Sequence, residues 1–318
     1  MMNDEQRAHK IVIIGSGKVG TTFAYALQLS GLVGEIVLID LDKQRTEGEV
    51  MDLNHAIPLS NPVRIYQGDY IDCQGAEVIV ISAGSTQRPG ETRLDLFNRN
   101  TAIFKQIIPQ VIQHNSDAVL LVATNPVDIL SYVTHKVSGL PTSQVIGSGT
   151  ILDTARFRWL LSQHFMLDAR NVHAYIIGEH GDSEVATWSL ANIAGMPLEE
   201  YCHSIGCELS RVQRQRISKQ VKDAAYEIIK RKGATFYAVA VGLVRIVESI
   251  LRDQNSVLSI SNMVPGYYGI ENVYLSLPAV IGENGVKHIM HLPLNEQEEK
   301  ALQHSADTLK EILAQLDI

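Results

Sequence analysis

At 318 residues, with 45% apolar and 19% charged side chains, the sequence has an ordinary globular composition and room for two domains of the usual ~100–200 residues. Its formal net charge of -8 argues against a nucleic-acid binder, and an anionic ligand must be drawn in by a local basic cluster. The three cysteines, Cys73, Cys202 and Cys207, make no disulfide framework and suit a reducing cytoplasm. Residues 1–10 are polar and lack the apolar core of a signal peptide. The apolar runs at 11–14 and 118–123 fall far short of the about 20 residues that span a bilayer, so a soluble, cytoplasmic protein with no membrane partner is expected.

Along the chain, short β-branched runs at 11–14, 35–39, 63–66, 78–81 and 118–122 read as buried strands. Between them the patterns at 19–29, 44–54 and 94–114 suit helices. Such alternation makes a parallel sheet covered on both faces. The run at 145–146, closed by Gly147-Ser148-Gly149, reads as the last strand of this half. From about Thr150 helical patterns dominate, at 152–164, 211–230 and 234–251. A hairpin-like section follows, with turn signals at Pro265-Gly266 and Glu283-Asn284-Gly285. Asn295 and Glu298 form a capping-box pattern for a final amphipathic helix with Leu302, Leu309, Leu313 and Leu316 on one face. The expected architecture is α/β: a doubly wound Rossmann sheet over 1–148, then a closely packed α+β substrate domain over 149–318.

The first strand runs into Gly15-Ser16-Gly17-Lys18-Val19-Gly20 and then into a helical pattern. This is G-x-G-x-x-G in its strand–turn–helix setting. Gly15 permits the tight turn, Gly17 lets backbone approach a pyrophosphate, and Gly20 allows close helix–strand packing. Asp40 ends the second strand twenty residues after Gly20, where a carboxylate binds ribose hydroxyls and repels a 2′-phosphate. NAD is therefore the expected cofactor, although Asp40 also reads as a plain strand-end turn former.

In the second half, Asp153 and Arg156 are three apart on one helix face. Arg158, two further on and about 200° around, points elsewhere, to the outside or a neighbouring subunit. A surface ion pair is the plain alternative for Asp153 and Arg156. His180 follows an apolar run and sits in Gly178-Glu179-His180-Gly181, a loop signal at a strand end. A histidine can exchange a proton near neutral pH, a buried carboxylate can hold its ring, and an arginine fork can grip a substrate carboxylate. Residues 84–93, rich in Gly, Pro and polar side chains, suit a mobile lid. No zinc spacing is present, and no metal is expected.

At this point the motifs GSGKVG, LID ending in Asp40, RPGETRLDL, ATNPVD, GSGTILDTARFR, AYIIGEHGDS and KGATFY occur in one order along the chain. The sequence resembles the L-lactate dehydrogenases of the lactate/malate dehydrogenase family, in particular the bacterial, effector-regulated type, over essentially its whole length. The resemblance implies that His180 exchanges the proton with pyruvate and lactate, and that Asp153 fixes its tautomer. Arg156 binds the substrate carboxylate, and Arg93 swings in with the lid to polarise the carbonyl. Asn125 bonds the carbonyl oxygen and helps to place the nicotinamide, Thr235 lines the substrate pocket, and Ser148 meets the cofactor carboxamide. Val19, Asp40, Lys43, Tyr70, Gly84, Ser85 and Ala123 are further cofactor contacts.

Gln87 stands six residues before Arg93, where relatives acting on malate carry an arginine, and so favours pyruvate. Arg88, one residue along, and the small pair Ala224-Ala225 keep open a malate or branched 2-hydroxy-acid dehydrogenase on the same scaffold. Arg158 and His173 match positions that bind fructose 1,6-bisphosphate across a subunit interface, so activation by that effector and a homotetramer are expected. His173 is seven residues from His180 and along an extended strand would face the opposite side.

Overall fold

The computed structural model describes residues 9–85, Gly90 and 92–316, with Arg93 described by its backbone alone. The first half runs β1 (Lys10–Ile14), α1 (Lys18–Ser30), β2 (Glu35–Ile39), α2 (Lys43–Ala56), β3 (Arg64–Gln67), β4 (Val78–Ile81), α3 (Arg93–His114), β5 (Val119–Val122), α4 (Val127–Ser138) and β6 (Val145–Gly147). These strands pair in parallel in the order β3-β2-β1-β4-β5-β6. The strand order reverses between β1 and β4. In open α/β sheets that reversal opens a crevice at the carboxyl ends of the strands.

Helices cover both sheet faces, which is why the strands read as unbroken apolar runs instead of alternating ones. Ile11 and Ile13 of β1 enter one core with Phe23 and Leu27 of α1, while Val12 and Ile14 enter the other with Phe104 and Ile108 of α3. α4 was absent from the sequence expectation. Its first turns are buried, Asp128, Ser131 and Thr134 included, so polar residues stand on the inward side and blur the apolar stripe.

The second half runs α5 (Ile151–Phe165), β7 (Val172–His173), β8 (Ile176–Ile177), β9 (Val185–Ala186), β10 (Asn192–Ile193), β11 (Met196–Pro197), α6 (Leu198–Ile205), α7 (Arg211–Lys232), α8 (Tyr237–Leu251), β12 (Ser256–Pro265), β13 (Glu271–Gly282), β14 (Gly285–Ile289) and α9 (Glu296–Leu313). The hairpin strands do not form a sheet of their own. β12 lies antiparallel against β6, with Ser261 opposite Gly147, and among the described residues nine strands make one sheet. A Cβ on Gly147 would stand 2.4 Å from Ser131 Oγ and 2.9 Å from Ser261 Cβ, so glycine lets the parallel and antiparallel parts meet. α8 adds to the join, because Leu243, Ile246 and Val247 complete the core above Ile11 and Ile13.

Three local differences have simple causes. α8 starts at Tyr237 and not at 234, because Gly233 ends α7 in the left-handed region (φ 82) and Phe236 is non-helical (φ -152). Leu316 lies beyond α9 but still packs on the core that holds Leu302 and Leu309. The stretch from His173 to His180 is not one extended strand: β7 pairs in one small sheet and β8 in another. His173 and His180 therefore do not stand on opposite sides of one strand, as an extended run would place them. No helix among the described residues is long and apolar enough to cross a membrane.

Candidate active site

Gly15 leaves β1 with φ 108, and a Cβ there would lie 2.4 Å from the Ala83 nitrogen, so the loops after β1 and β4 abut. A Cβ on Gly20 would sit 1.9 Å from the Gly15 carbonyl oxygen. Gly17, in contrast, faces open space. It caps α1 with no side-chain partner and no acid in the first turn, which leaves free N–H groups at the positive helix end. That cradle fits a dinucleotide pyrophosphate. Val19 follows within α1, packed against the core.

Asp40 stands at the carboxyl end of β2. One oxygen accepts the Ser16 N–H (2.7 Å) and Arg45 Nη2 (3.1 Å), and the other accepts the Asp42 N–H (3.0 Å). Burial works to raise this carboxyl, but the Asp42 and Ser16 N–H groups and the Arg45 guanidinium outweigh it and hold the group below the usual range. Gly84 and Ser85 follow β4, Ala123 and Asn125 follow β5, and Ser148 follows β6. Ser85 is fixed by its N–H to Asn100 Oδ1 (2.9 Å), and Asn100 Nδ2 also donates to the Asn125 carbonyl (3.1 Å). All these positions border the crevice at the strand ends. Lys43 opens α2 and pairs with Asp69 (2.9 Å), and Tyr70 is half-buried in the turn after β3.

The acid–base group assembles at the start of the second half. Asp153 lies in the first turn of α5, where the helix dipole favours an anion. Its Oδ2 is 2.5 Å from His180 Nδ1, and its Oδ1 accepts Arg156 Nη1 at 2.7 Å. An ionised carboxylate only accepts, so Nδ1 carries a hydrogen and Nε2 is the atom left for substrate. The Asp153 side chain is 3% exposed, Arg156 13% and His180 22%. Burial alone would pull His180 down, but the Asp153 charge and hydrogen bond, with help from Asp128, lift it to about 9. Burial opposes the ionised Asp153 as well, yet His180 and Arg156 hold it below the ordinary value.

Four elements hold the loop that carries His180. Gly178 exchanges backbone hydrogen bonds with Ser276 of β13 (2.9 Å each way), and the Glu179 N–H donates to Ser305 Oγ of α9 (2.7 Å). The His180 N–H donates to Asp128 Oδ2 of α4 (2.8 Å), and Ser261 Oγ of β12 donates to the other oxygen of Asp128 (2.6 Å). Sequence reasoning missed Asp128, Ser261 and Glu184. Asp128 lies inside ATNPVD and could have been singled out as an acid in a buried run; its partners are distant in sequence. Burial pushes it up to about 6 despite those two hydrogen bonds. Glu184, four residues past His180, is buried too, and burial followed by the Asp153 charge pushes it up to about 8.

Of the other predicted residues, Thr235 is half-buried between α7 and α8, and Ala224 and Ala225 are half-buried on α7. Arg158 is half-buried on α5 and near enough to Tyr175 to offset part of the burial that raises that phenol. His173 is exposed at the end of β7. Gln87 and Arg88 lie outside the described residues, as does the side chain of Arg93, which begins α3. Among the described residues no group of three or more His, Cys, Asp or Glu is placed to hold a metal.

Two family models match the chain: lactate/malate dehydrogenase, NAD binding domain, over residues 9–147, and lactate/malate dehydrogenase, alpha/beta C-terminal domain, over 150–317. The chain is 55% identical over 318 residues to an L-lactate dehydrogenase of Acetivibrio thermocellus, covering 100% of both. It is 54% identical over 310 residues to one of Thermoanaerobacter sp. (strain X514), covering 98% of this chain and 100% of the relative. Among solved structures it is similar to a minor L-lactate dehydrogenase from Enterococcus mundtii, described in a ligands-bound form (TM-score 0.95, 41% identity, 98% and 99% covered). It is also similar to a lactate dehydrogenase from a Medee basin deep-sea metagenome library (TM-score 0.94, 47% identity, 97% and 98% covered). On its sheet order, its strand-end crevice and these full-length likenesses, the chain belongs to the lactate/malate dehydrogenase family.

Proposed function

We propose that the chain is an NAD-dependent L-lactate dehydrogenase that interconverts pyruvate and (S)-lactate, the last step of fermentative glycolysis in the cytoplasm. The observation that carries this reading is the bonded series Arg156–Asp153–His180 beside the crevice of a dinucleotide-binding sheet. When bound, NADH supplies the hydride to the carbonyl carbon. Gly15, Gly17, Val19 and Gly20 receive the pyrophosphate, and Asp40 takes the ribose hydroxyls. Lys43, Tyr70, Gly84, Ser85, Ala123 and Ser148 complete the cofactor contacts.

Arg156 spends one N–H on Asp153 and has the rest of its fork for the substrate carboxylate. His180 delivers its Nε2 proton to the carbonyl oxygen as negative charge develops there, and Asp153 stabilises the imidazolium beforehand. Arg93 and Asn125 bond the same oxygen, and Thr235 lines the pocket. Closing the lid excludes water and strengthens each of these charged contacts. Gln87 offers a second carboxylate no countercharge, so pyruvate is preferred to oxaloacetate. We place the domain boundary at 148/149, directly after the last parallel strand, with the sheet continuing across it.

Arg158 and His173 are assigned to fructose 1,6-bisphosphate, which activates the enzyme and favours a homotetramer. The support is the resemblance at these positions, together with an exposed His173 and a half-buried Arg158.

The test is NADH consumption with pyruvate, oxaloacetate and 2-oxoisocaproate, with and without the bisphosphate. Pyruvate should give the highest kcat/KM, and Gln87→Arg should move preference toward oxaloacetate. A higher kcat/KM for either competitor in the unsubstituted enzyme overturns the substrate assignment. Unchanged kinetics at saturating bisphosphate overturns the effector assignment. His180→Asn should lower kcat by about 10²–10⁴-fold while NADH still binds.

A further inference from the structure

α6 ends in a doubly closed turn. Gly206 takes the left-handed conformation (φ 67), its N–H donates to the His203 carbonyl (3.4 Å), and the Cys207 N–H donates to the Cys202 carbonyl (2.9 Å). This pattern brings the side chain four from the end of the helix, Cys202, against the one just past the glycine, Cys207. An apolar pair commonly fills these two positions; here both are cysteines. Cys202 is buried in the core of the second half with Leu198, Leu209 and Ile217, and the half-exposed Cys207 packs on that cluster. The direct N–H···O bond keeps the two Cα atoms within about 7 Å, and a disulfide needs about 4.4–6.8 Å. Burial first, and then the neighbouring Cys207 thiol, push Cys202 up to about 11, so Cys207 is the thiol that reacts first.

We infer that Cys202 and Cys207 form a redox modification site, a dithiol that a low-molecular-weight disulfide closes to an intramolecular bridge. The Cys207 thiolate attacks the oxidant's disulfide and expels one small thiolate. The Cys202 thiol then loses its proton to solvent, attacks the Cys207 sulfur and expels the second. The two protein thiols give up two electrons and two protons, and the oxidant leaves as two thiols. The bridge would tie the end of α6 to the segment entering α7. Arg214 of α7 already pairs with Glu199 of α6 (3.1 Å) and lies over the Trp188 ring (5.6 Å). Cys73 is fully buried in the first half, where burial pushes its thiol up to about 12, and serves as an internal control.

The test treats the full chain with glutathione disulfide, quenches in acid, denatures, alkylates and maps the peptides. The expected product has two of its three thiols protected, a mass lower by two hydrogens, a mapped Cys202–Cys207 bridge and an alkylated Cys73, all reversed by dithiothreitol. Cys202→Ala should stop at one glutathione on Cys207. Cys207→Ser, at the half-exposed position, should leave Cys202 unmodified. Three alkylated thiols, a lasting glutathione adduct on Cys207 in the unsubstituted chain, or a bridge between chains would each overturn the proposal.

Discussion

The main-chain N–H of His180 donates to the Asp128 carboxylate at 2.8 Å, while the ring of the same residue is held by Asp153. Two acids from different helices therefore hold His180 at two points. Asp128 belongs to α4 of the parallel half, so that half fixes a loop of the other. Asp128→Asn leaves one accepting oxygen for two donors, Ser261 Oγ and the His180 N–H. The expected outcome is a kcat for pyruvate reduction lower by about ten- to a hundred-fold, matching the ~1.5–3 kcal/mol of a hydrogen bond to a charged group. NADH affinity, measured by fluorescence titration, should hold. An unchanged kcat would mean that Asp128 does not position the loop.

The pH dependence follows from His180. Its ordinary value is 6.5, and Asp153 lifts it in the fold to about 9 in spite of burial. The stabilisation from this pair is complete below 6.5 and is lost as pH rises through about 9. Asp153, held low, contributes above its ordinary 3.8 and loses that contribution as pH falls through its depressed value. Pyruvate reduction needs the imidazolium, so above the titration of Asp128 near 6 kcat/KM should stay level to about pH 9 and fall beyond it. Lactate oxidation needs the neutral ring and should climb over the same span. In Asp153→Asn the alkaline limb of pyruvate reduction should move down toward 6.5; a limb that stays in place rules out Asp153 as the cause.

Much of this arrangement is legible in the chain because it is local. The buried parallel strands announce themselves as β-branched runs, G-x-G-x-x-G sits between a strand and a helix, and Asp153 and Arg156 share a face by spacing. What stays hidden depends on contacts between distant residues. Asp128 meets Ser261 and His180 only when α4, β12 and the loop after β8 converge. Ser261 opposite Gly147 joins a hairpin to the parallel sheet, and no periodicity in either segment reports that pairing. The break between β7 and β8 is likewise invisible in an apolar run that could as well continue as one strand.

If Asp40 takes the ribose hydroxyls as proposed, cofactor choice should depend on it and on Arg45, which is 3.1 Å away. Asp40→Ser removes both the ribose acceptor and the partner that occupies the guanidinium. Arg45, about half exposed, would then be able to meet a 2′-phosphate. KM for NADH should rise about ten- to a hundred-fold, and NADPH should become usable. If adding Arg45→Ala to Asp40→Ser leaves NADPH turnover unchanged, the assigned role of the guanidinium is wrong.

Glu184 gives a stability signature of the same sign as His180 and opposite to that of Asp153. It helps to wall a cavity of about 770 Å³ with Leu94, Phe97, Trp188, Lys222 and His304. Burial and the Asp153 charge push it up to about 8 from an ordinary 4.5, so the folded protein holds its proton at pH 7 where the unfolded chain does not. Between 4.5 and about 8 the folded state binds more protons, and stability must fall as pH rises across that range. Glu184→Gln keeps the shape and removes the titration. Tm of the variant should match the unsubstituted protein near pH 5 and exceed it at pH 9, where each kcal/mol is worth about 1.5 °C in a chain of 318 residues. Differential scanning calorimetry at the two pH values decides the matter: an equal Tm difference at both would mean that Glu184 ionises in the folded protein as it does in the unfolded chain.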